Sequence, residues 1–170
     1  MLKTSDGRVM FDGQDVTSLP VDQIIQRGVS RTFQLTHLFP ELSVLENVRI
    51  AAQARHARRW QFFGGGSVLE ESRETALQAI KTLRLGEHVD TMAGLLSHGD
   101  QRLLEVAMAI SQKPKLLLLD EPTQGLSIEE TEHAIEILRD LLVGGGLTVI
   151  LVEHDMEVVF RLANKITVLH

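Results

Sequence analysis

The stretch LLLLDEPTQG, residues Leu116–Gly125, places four leucines directly before two adjacent carboxylates. The leucines predict a short buried strand, because an apolar run bounded by a turn signal suits a sheet covered by helices. Unpaired charges at the edge of a core are costly, so Asp120 and Glu121 are expected to face something positive. A metal ion, or a water activated beside a phosphate, would meet that need. A helix cap or an exposed charged pair is the alternative interpretation.

The residues after this strand predict an alternation of helices and strands. Ser127 and Glu130 have capping-box spacing and open a helix. The apolar residues expected on its inner face are Ile128, Ile135, Leu138 and Leu142. Residues 148–152 (TVILV) predict a second buried strand, Asp155 predicts the cap of another helix, and residues 165–169 (KITVL) predict a third strand. This order indicates an α/β fold with a parallel sheet and helices on both of its faces.

The N-terminal residues predict smaller elements. Residues 8–16 (RVMFDGQDV) alternate apolar and polar residues around an Asp12-Gly13 turn, which predicts a β-hairpin. Pro20–Gln26 predicts a short helix that stops before Gly28. Residues 29–34 (VSRTFQ) predict a strand.

The middle of the chain, from Leu38 to Leu96, is almost wholly helical in its pattern. Ser43 and Glu46 again have capping-box spacing, before apolar residues at Leu45, Val48 and Ala52. Residues 60–67 (WQFFGGGS) are expected to break that helix. The next helix carries Leu77, Ile80 and Leu83 along one side, and a strong helix then runs from the LSHGDQ segment to about Gln112.

Polar residues follow three of the predicted strands, where ligands bind in open parallel sheets. They are Gln34, the Asp120-Glu121 pair and His154. Taken alone, Gln34 or His154 is better explained as a surface residue. A further candidate lies at Ser97 and Gly99, where a long helix begins and free backbone N–H groups favour an anion. A serine cap followed by a turn glycine explains that segment equally well.

The composition bounds the class of protein. The chain has 170 residues, a net charge of −6 and no cysteine, with 44% hydrophobic and 24% charged residues. These are the proportions of a soluble globular protein without disulfides. The acidic balance argues against nonspecific nucleic-acid binding. The apolar runs are too short to span a bilayer, and the MLKTSDG start has no signal-peptide core.

The segments RTFQ, LSHGDQR, LLLLDEPTQGLS and VILVEHDM, in this order, resemble an ATP-binding subunit of an ABC transporter. The residues RTFQLTHLFPELSVLENV, the SHGDQ form of the signature motif and VEHDM most resemble subunits of branched-chain amino acid importers, with urea importers close behind. The resemblance implies a P-loop NTPase-like parallel sheet of the ABC ATPase type with an inserted helical subdomain. Residues 1–37 would belong to the N-terminal β part and Q-loop, 38–112 to the helical subdomain, and 113–170 to the rest of the core.

The resemblance implies the cofactors ATP and Mg²⁺ and a role for each residue at the predicted sheet edge. Asp120 matches the Walker B aspartate, which holds Mg²⁺ through water. Glu121 matches the catalytic glutamate, which polarises the attacking water as general base. Gln34 matches the Q-loop glutamine, which senses the metal and the γ-phosphate. His154 matches the switch histidine, which contacts the γ-phosphate.

The signature and D-loop residues would serve ATP held by a second ABC ATPase subunit, in a homodimer or a heterodimer. The residues that match the signature motif are Ser97, His98, Gly99 and Asp100. His98 replaces a more usual glycine, and Asp100 replaces a more usual glutamine or glutamate. Ser127 stands in the D-loop where the family commonly has Asp or Asn, and capping the next helix explains it equally well.

A P-loop ATPase needs Gly-x-x-x-x-Gly-Lys-[Ser/Thr], and this string does not occur in the sequence. The triplets Gly64–Gly66 and Gly144–Gly146 lack the lysine and are interpreted as loops. The family's adenine-stacking aromatic, which precedes that loop, is not found either. We therefore expect an N-terminally incomplete domain, an internal piece of an ABC ATPase with unpaired sheet edges. We expect such a piece neither to hydrolyse ATP alone nor to fold robustly.

The partners that the resemblance implies are transmembrane permease subunits and, indirectly, a solute-binding protein, with no nucleic acid. The subunit would be cytoplasmic and peripheral on the inner face of the cell membrane. Residues 54–60 (ARHARRW) are basic, and either a solvated helix face or a contact with permease or lipid headgroups explains them. Two other hypotheses are a soluble ABC-type ATPase acting on nucleic acid or ribosomes and a non-catalytic fragment that binds a partner.

Overall fold

The computed structural model describes residues 6–32, 38–54, 66–144 and 146–168, and side chains from residue 68 onward in the third of these ranges. The predicted hairpin is present: β1 (Met10–Phe11) pairs antiparallel with β2 (Gln14–Asp15). Asp12 and Gly13, at the turn, both have positive φ, as tight two-residue hairpin turns require. Helix α1 (Val21–Gln26) follows, and Gly28 has a φ of 98° just beyond its end.

Three parallel strands form the central sheet in the order β3-β4-β5. They are β3 (Val29–Arg31), β4 (Leu116–Asp120) and β5 (Thr148–Val152). The order agrees with the predicted parallel sheet. On β4, Leu117 and Leu119 are buried, so one face of this middle strand carries the core.

The predicted burial of β5 is wrong. The strand forms, but Ile150 is 51% exposed and Val152 is 55% exposed. Within the described ranges β5 pairs only with β4, and its two faces alternate between partly buried and exposed. A strand covered on one face alternates in burial, whereas a strand covered on both faces does not.

The third strand predicted over residues 165–169 is also wrong where the structure describes it, because residues 165–168 form no strand. Val168 is 83% exposed and Ile166 is 45% exposed. An apolar alternation of this length becomes a strand only when a neighbouring strand pairs with it, and the described sheet ends at β5.

The helices between the strands build most of the core. They are α2 (Val44–Gln53), α3 (Gly66–Thr82), α4 (His98–Ser111), α5 (Ile128–Val143) and α6 (Met156–Leu162), with two short 3₁₀ turns at Gly86–His88 and Ala93–Leu95. Buried residues of α2, α3, α4 and α5 pack with Leu117 and Leu119 in one hydrophobic cluster. No helix in the described parts of the chain is long and apolar enough to cross a membrane.

The predicted helix details are partly correct. Ser127 and Glu130 form the full capping box at the start of α5, and Asp155 caps α6. Ile128, in the first turn of α5, is 84% exposed and does not lie on the buried face. Ser43 caps α2 through the N–H of Glu46, but the Glu46 carboxylate bonds to Arg49 and does not complete a capping box.

Three sequence predictions concern residues that the structure does not describe. The break at residues 60–67 lies mostly outside the described residues, between the end of α2 and the start of α3. The end of the predicted strand 29–34 lies outside them from Phe33 onward. The basic segment 54–60 lies outside them except for Ala54.

A buried asparagine fixes the entry to α2. Asn47 is fully buried, and its Oδ1 accepts a hydrogen bond of 2.8 Å from the Phe39 N–H. Its Nδ2 donates to the carbonyls of Phe39, Leu42 and Ser43 at 3.0, 3.3 and 2.9 Å. One buried side chain therefore supplies the acceptor of the Phe39 N–H and additional donors to three carbonyls of the turn.

Candidate functional site

Two residues of the predicted catalytic edge meet at the carboxyl ends of neighbouring strands. Glu121 follows the last residue of β4, and His154 comes two residues after the end of β5. The Glu121 Oε1 lies 3.3 Å from the His154 Nδ1. The Glu121 side chain is 20% exposed, whereas that of His154 is 70% exposed. The pair therefore presents an imidazole to solvent, with a carboxylate behind it. Gln34 lies outside the described residues.

The backbone at Glu121 has an unusual conformation. Its φ is +46°, in the left-handed region that residues other than glycine rarely adopt. Such a residue costs about 1–2 kcal/mol. Its N–H bonds to the Val152 carbonyl at 2.9 Å, and its carbonyl accepts from the Gln124 N–H at 3.2 Å. The chain thus leaves β4 in a sharp turn that places the Glu121 side chain beside β5.

Asp120 has a different partner from Glu121. Its Oδ2 lies 2.7 Å from Nη2 of Arg31 on β3, and its backbone N–H bonds to the Thr32 hydroxyl at 3.4 Å. Within the described residues, no cluster of three or more His, Cys, Asp or Glu side chains could hold a metal ion. Mg²⁺ is commonly bound by one or two carboxylates while waters and substrate phosphates complete its shell. Asp120, with Glu121 next to it, fits that kind of site.

The predicted signature residues form the start of α4. Ser97 is its N-cap: the Ser97 hydroxyl accepts from the Asp100 N–H at 3.1 Å and donates to the Asp100 Oδ2 at 2.9 Å. The His88 Nε2 lies 4.0 Å from the same carboxylate oxygen. Ser97 and Asp100 are therefore engaged with each other, and the interpretation of Ser97 as a helix cap is correct.

Glu130 joins the signature segment to the D-loop segment. Its Oε1 accepts from the Gly99 N–H at 3.1 Å, and its Oε2 accepts from the Ser127 N–H at 3.0 Å. A Cβ on Gly99 would lie 3.2 Å from the Glu130 Cβ and Cγ, closer than ordinary van der Waals contact, so a larger residue here would have to displace Glu130. One carboxylate thereby contacts the first turns of both α4 and α5.

These contacts lower the pKa of Glu130. The backbone N–H groups of Ser127 and Gly99, then the Ser127 side chain, hold the pKa of this carboxyl below its usual value of 4.5, and nearby His98 acts in the same direction. Because the folded pKa lies below the unfolded one, the contribution to stability is fully present above pH 4.5. It is lost as the pH falls through the folded pKa.

Glu130→Gln should therefore destabilise the protein more near neutral pH than in acid. We expect the difference in free energy of unfolding between wild type and variant to be larger at about pH 6 than at about pH 3. Denaturant unfolding at the two pH values measures it. Glu129→Gln, an exposed neighbour on the same turn, is the control. An equal difference for Glu130→Gln at both pH values would contradict the assignment.

Several contacts of this region were not predicted from the sequence. Arg31 was not singled out, because the sequence of one strand does not indicate which carboxylate of the neighbouring strand lies beside it. The link from Glu130 to Gly99 spans 31 positions, and the capping box accounted for Glu130 without it. Glu153 was not singled out either, yet its side chain is only 1% exposed.

A sequence profile of the ABC transporter family matches residues 1–124 of the chain. The chain belongs to the ABC transporter family. The branched-chain amino acid transport ATP-binding protein BraF of Pseudomonas aeruginosa is 34% identical over 96% of this ABC chain and 66% of its own length. The corresponding protein LivG of Escherichia coli K12 is 33% identical over 99% of this chain and 68% of its own length.

Solved ATP-binding cassettes share the ABC fold of this chain. A nucleotide-free cassette superposes with a TM-score of 0.77 at 26% identity, over 95% of this chain and 64% of that one. A dimeric cassette in a post-hydrolysis state with ADP and phosphate superposes with a TM-score of 0.73 at 28% identity, over 92% of this chain and 66% of that one. The chain spans about two thirds of the length of these ABC relatives. The predicted fold class is confirmed.

Proposed function

We propose that the chain is part of an ATP-hydrolysing subunit that energises an ABC importer for branched-chain amino acids. Support for the solute comes from relatives such as BraF and LivG, named for branched-chain amino acid transport. Support for the chemistry comes from one observation, the Glu121 carboxylate 3.3 Å from the His154 imidazole at the carboxyl edge of the sheet. Carboxylate and imidazole are the usual groups for moving a proton during phosphoryl transfer.

In this mechanism each strand-end residue has a separate task. Glu121 takes a proton from the water whose oxygen bonds to the γ-phosphorus. The bond between that phosphorus and the oxygen that bridges it to the β-phosphate breaks, and ADP leaves with the bridging oxygen. His154, with Nδ1 beside Glu121, has Nε2 left for a phosphate oxygen. Asp120 and Gln34 would hold Mg²⁺ through water. Mg²⁺, when bound, neutralises charge on the phosphates.

The proposed assembly contains two such subunits. Ser97, His98, Gly99 and Asp100 would close over ATP held mainly by the opposite subunit, with Ser127 contributing from the D-loop. The positive end of the helix dipole at the start of α4 favours the phosphate charge there. Dimeric cassettes among the solved relatives support this arrangement. The lysine and amide groups of a phosphate loop, which residues 1–170 do not supply, would come from elsewhere in the complete subunit.

The proposal also places the subunit at the membrane. It would lie on the cytoplasmic face, bound to permease subunits, with solute delivered by a solute-binding protein. Residues 38–112 would form the helical subdomain that contacts the permease. A net charge of −6 gives no support for a nucleic-acid partner.

The test is solute-stimulated ATP hydrolysis by the complete subunit, reconstituted with its permease in vesicles. We expect a binding protein loaded with leucine to raise the hydrolysis rate several-fold, with leucine accumulating inside the vesicles. Urea should have no effect. Stimulation by urea but not by leucine would reassign the solute. No stimulation by either, or hydrolysis of ATP by residues 1–170 alone, would contradict the proposal.

A further inference from the structure

Glu153 is a buried carboxylate between two exposed residues. Its side chain is 1% exposed, whereas Val152 is 55% exposed and the His154 side chain is 70% exposed. Within the described ranges neither a lysine nor an arginine forms an ion pair with it, and the nearest basic side chain is that of His154, whose Nδ1 lies 3.9 Å from Oε2. A buried carboxylate in such surroundings is retained only when hydrogen bonds satisfy its oxygens.

Both Glu153 oxygens are satisfied, by donors from two different loops. Oε1 accepts from the Thr123 hydroxyl at 2.6 Å and from the Thr123 backbone N–H at 3.2 Å. Oε2 accepts from the His154 backbone N–H at 3.2 Å. Thr123 lies in the loop between β4 and α5, and His154 lies in the loop between β5 and α6. The carboxylate therefore connects the two loops that carry Glu121 and His154.

The strained backbone of Glu121 depends on this connection between the two loops. A non-glycine residue at a φ of +46° persists only when its surroundings hold it there. At the start of the turn, the Glu121 N–H donates a hydrogen bond of 2.9 Å to the Val152 carbonyl. After the turn, Thr123 is 8% exposed and is held by Glu153. Without Glu153, the residues that follow Glu121 lose their attachment to β5, and the turn is free to relax.

We propose that Glu153 is a positioning residue that holds the Glu121 carboxylate and the His154 imidazole at their working separation. The inference rests on the proposed roles of Glu121 and His154. In this proposal Glu153 does not contact the nucleotide. It acts through its hydrogen bonds to Thr123 and to the His154 N–H, which together are called the Glu153 clamp. Loss of the clamp should therefore slow the chemical step and leave ATP binding nearly unchanged.

The first test is Glu153→Gln in the complete subunit assembled with its permease. Either orientation of the amide sets an NH₂ donor against an N–H or O–H donor, so one loop loses its acceptor while the volume is kept. We expect kcat for ATP hydrolysis to fall at least about tenfold, since misplacement of about 1 Å can cost a hundredfold. KM for ATP should stay within about twofold, because the clamp does not bind nucleotide.

A matched pair at Thr123 tests the same clamp from its other side. Thr123→Ser keeps the hydroxyl and should keep nearly the wild-type kcat. Thr123→Val keeps the shape but removes the 2.6 Å bond, and its kcat should fall by about threefold or more, a modest loss because the backbone N–H still donates. Glu132→Gln, which removes an exposed carboxylate that pairs with Arg161, should change neither constant.

The outcomes separate the inference from the function on which it depends. If Glu121→Gln and His154→Ala abolish hydrolysis while Glu153→Gln keeps kcat within about twofold, the positioning role is wrong. The positioning role is equally wrong if the fractional loss of kcat in Glu153→Gln equals the fraction of the variant subunit that is unfolded at the assay temperature. Should Glu153→Gln fail to fold, equal rates for Thr123→Val and Thr123→Ser would overturn it. If Glu121→Gln itself keeps activity, the proposed function has failed.

Discussion

Glu121→Gln is expected to reduce kcat for ATP hydrolysis by about 10²- to 10⁴-fold, the usual contribution of a general base. The glutamine side chain keeps the volume and one acceptor oxygen, but it cannot take a proton from water. The 3.3 Å contact with the His154 Nδ1 also loses its carboxylate partner. Steady-state hydrolysis by the assembled transporter measures kcat, and binding of a fluorescent ATP analogue should stay within a few-fold of wild type. Glu129→Gln, on the exposed side of the first turn of α5, controls for the change of one charge.

A double-mutant cycle with His154→Ala sharpens that result. Residues in contact that act as one unit give non-additive losses. We therefore expect the double variant to be hardly slower than Glu121→Gln alone. Additive losses would mean that the two side chains act independently despite their contact. Hydrolysis by Glu121→Gln within about tenfold of wild type would contradict its assignment as general base.

Asn47→Asp is expected to have the largest effect on stability. The change keeps the size of the side chain and replaces an NH₂ group, which donates to three carbonyls, by an oxygen that faces them. The three carbonyls keep backbone donors, but the new carboxylate oxygen is buried against them without a donor. A buried charged group without a hydrogen-bond partner costs more than the about 1–3 kcal/mol of a neutral one, so we expect a loss of about 3–5 kcal/mol in the free energy of unfolding. Urea unfolding followed by circular dichroism measures it.

The control for this change is Asn164→Asp, the same chemical substitution at an exposed position. Exposed substitutions usually stay within about 0.5 kcal/mol of wild type. Equal unfolding midpoints for the two variants would show that the turn before α2 does not depend on the Asn47 amide. Asn47→Ala should be destabilising as well, because it leaves the Phe39 N–H without the Oδ1 acceptor.

Local patterns in the sequence were sufficient to predict most of the elements. Ser127, Glu130 and Asp155 mark helix starts through hydrogen bonds within three residues, and the structure has those bonds. The Asp12-Gly13 hairpin is likewise set by two residues. Such features depend on neighbours in the chain, so tertiary packing does not need to be known.

Features that depend on residues distant in the chain could not be predicted from local sequence patterns. The apolar patterns of residues 148–152 and 165–169 look alike, yet in the part of the chain that the structure describes, through residue 168, only the first lies beside another strand. Asn47 has no sequence signal that separates it from an exposed helix residue. The left-handed backbone of Glu121 was missed because glycine, the usual marker of that conformation, comes only at Gly125. Resemblance to the family indicated candidate site residues, but not the contacts of Glu153 with Thr123 or of Arg31 with Asp120.

The backbone of Glu121 also limits how this protein can be made more heat-resistant. Glycine or asparagine would adopt a φ of +46° more readily, so a search for stabilising substitutions would favour them at this position. Either change removes the carboxylate on which the proposed chemistry depends. Thermal robustness and turnover therefore conflict at this residue. Gains in robustness have to come from positions without such a conflict.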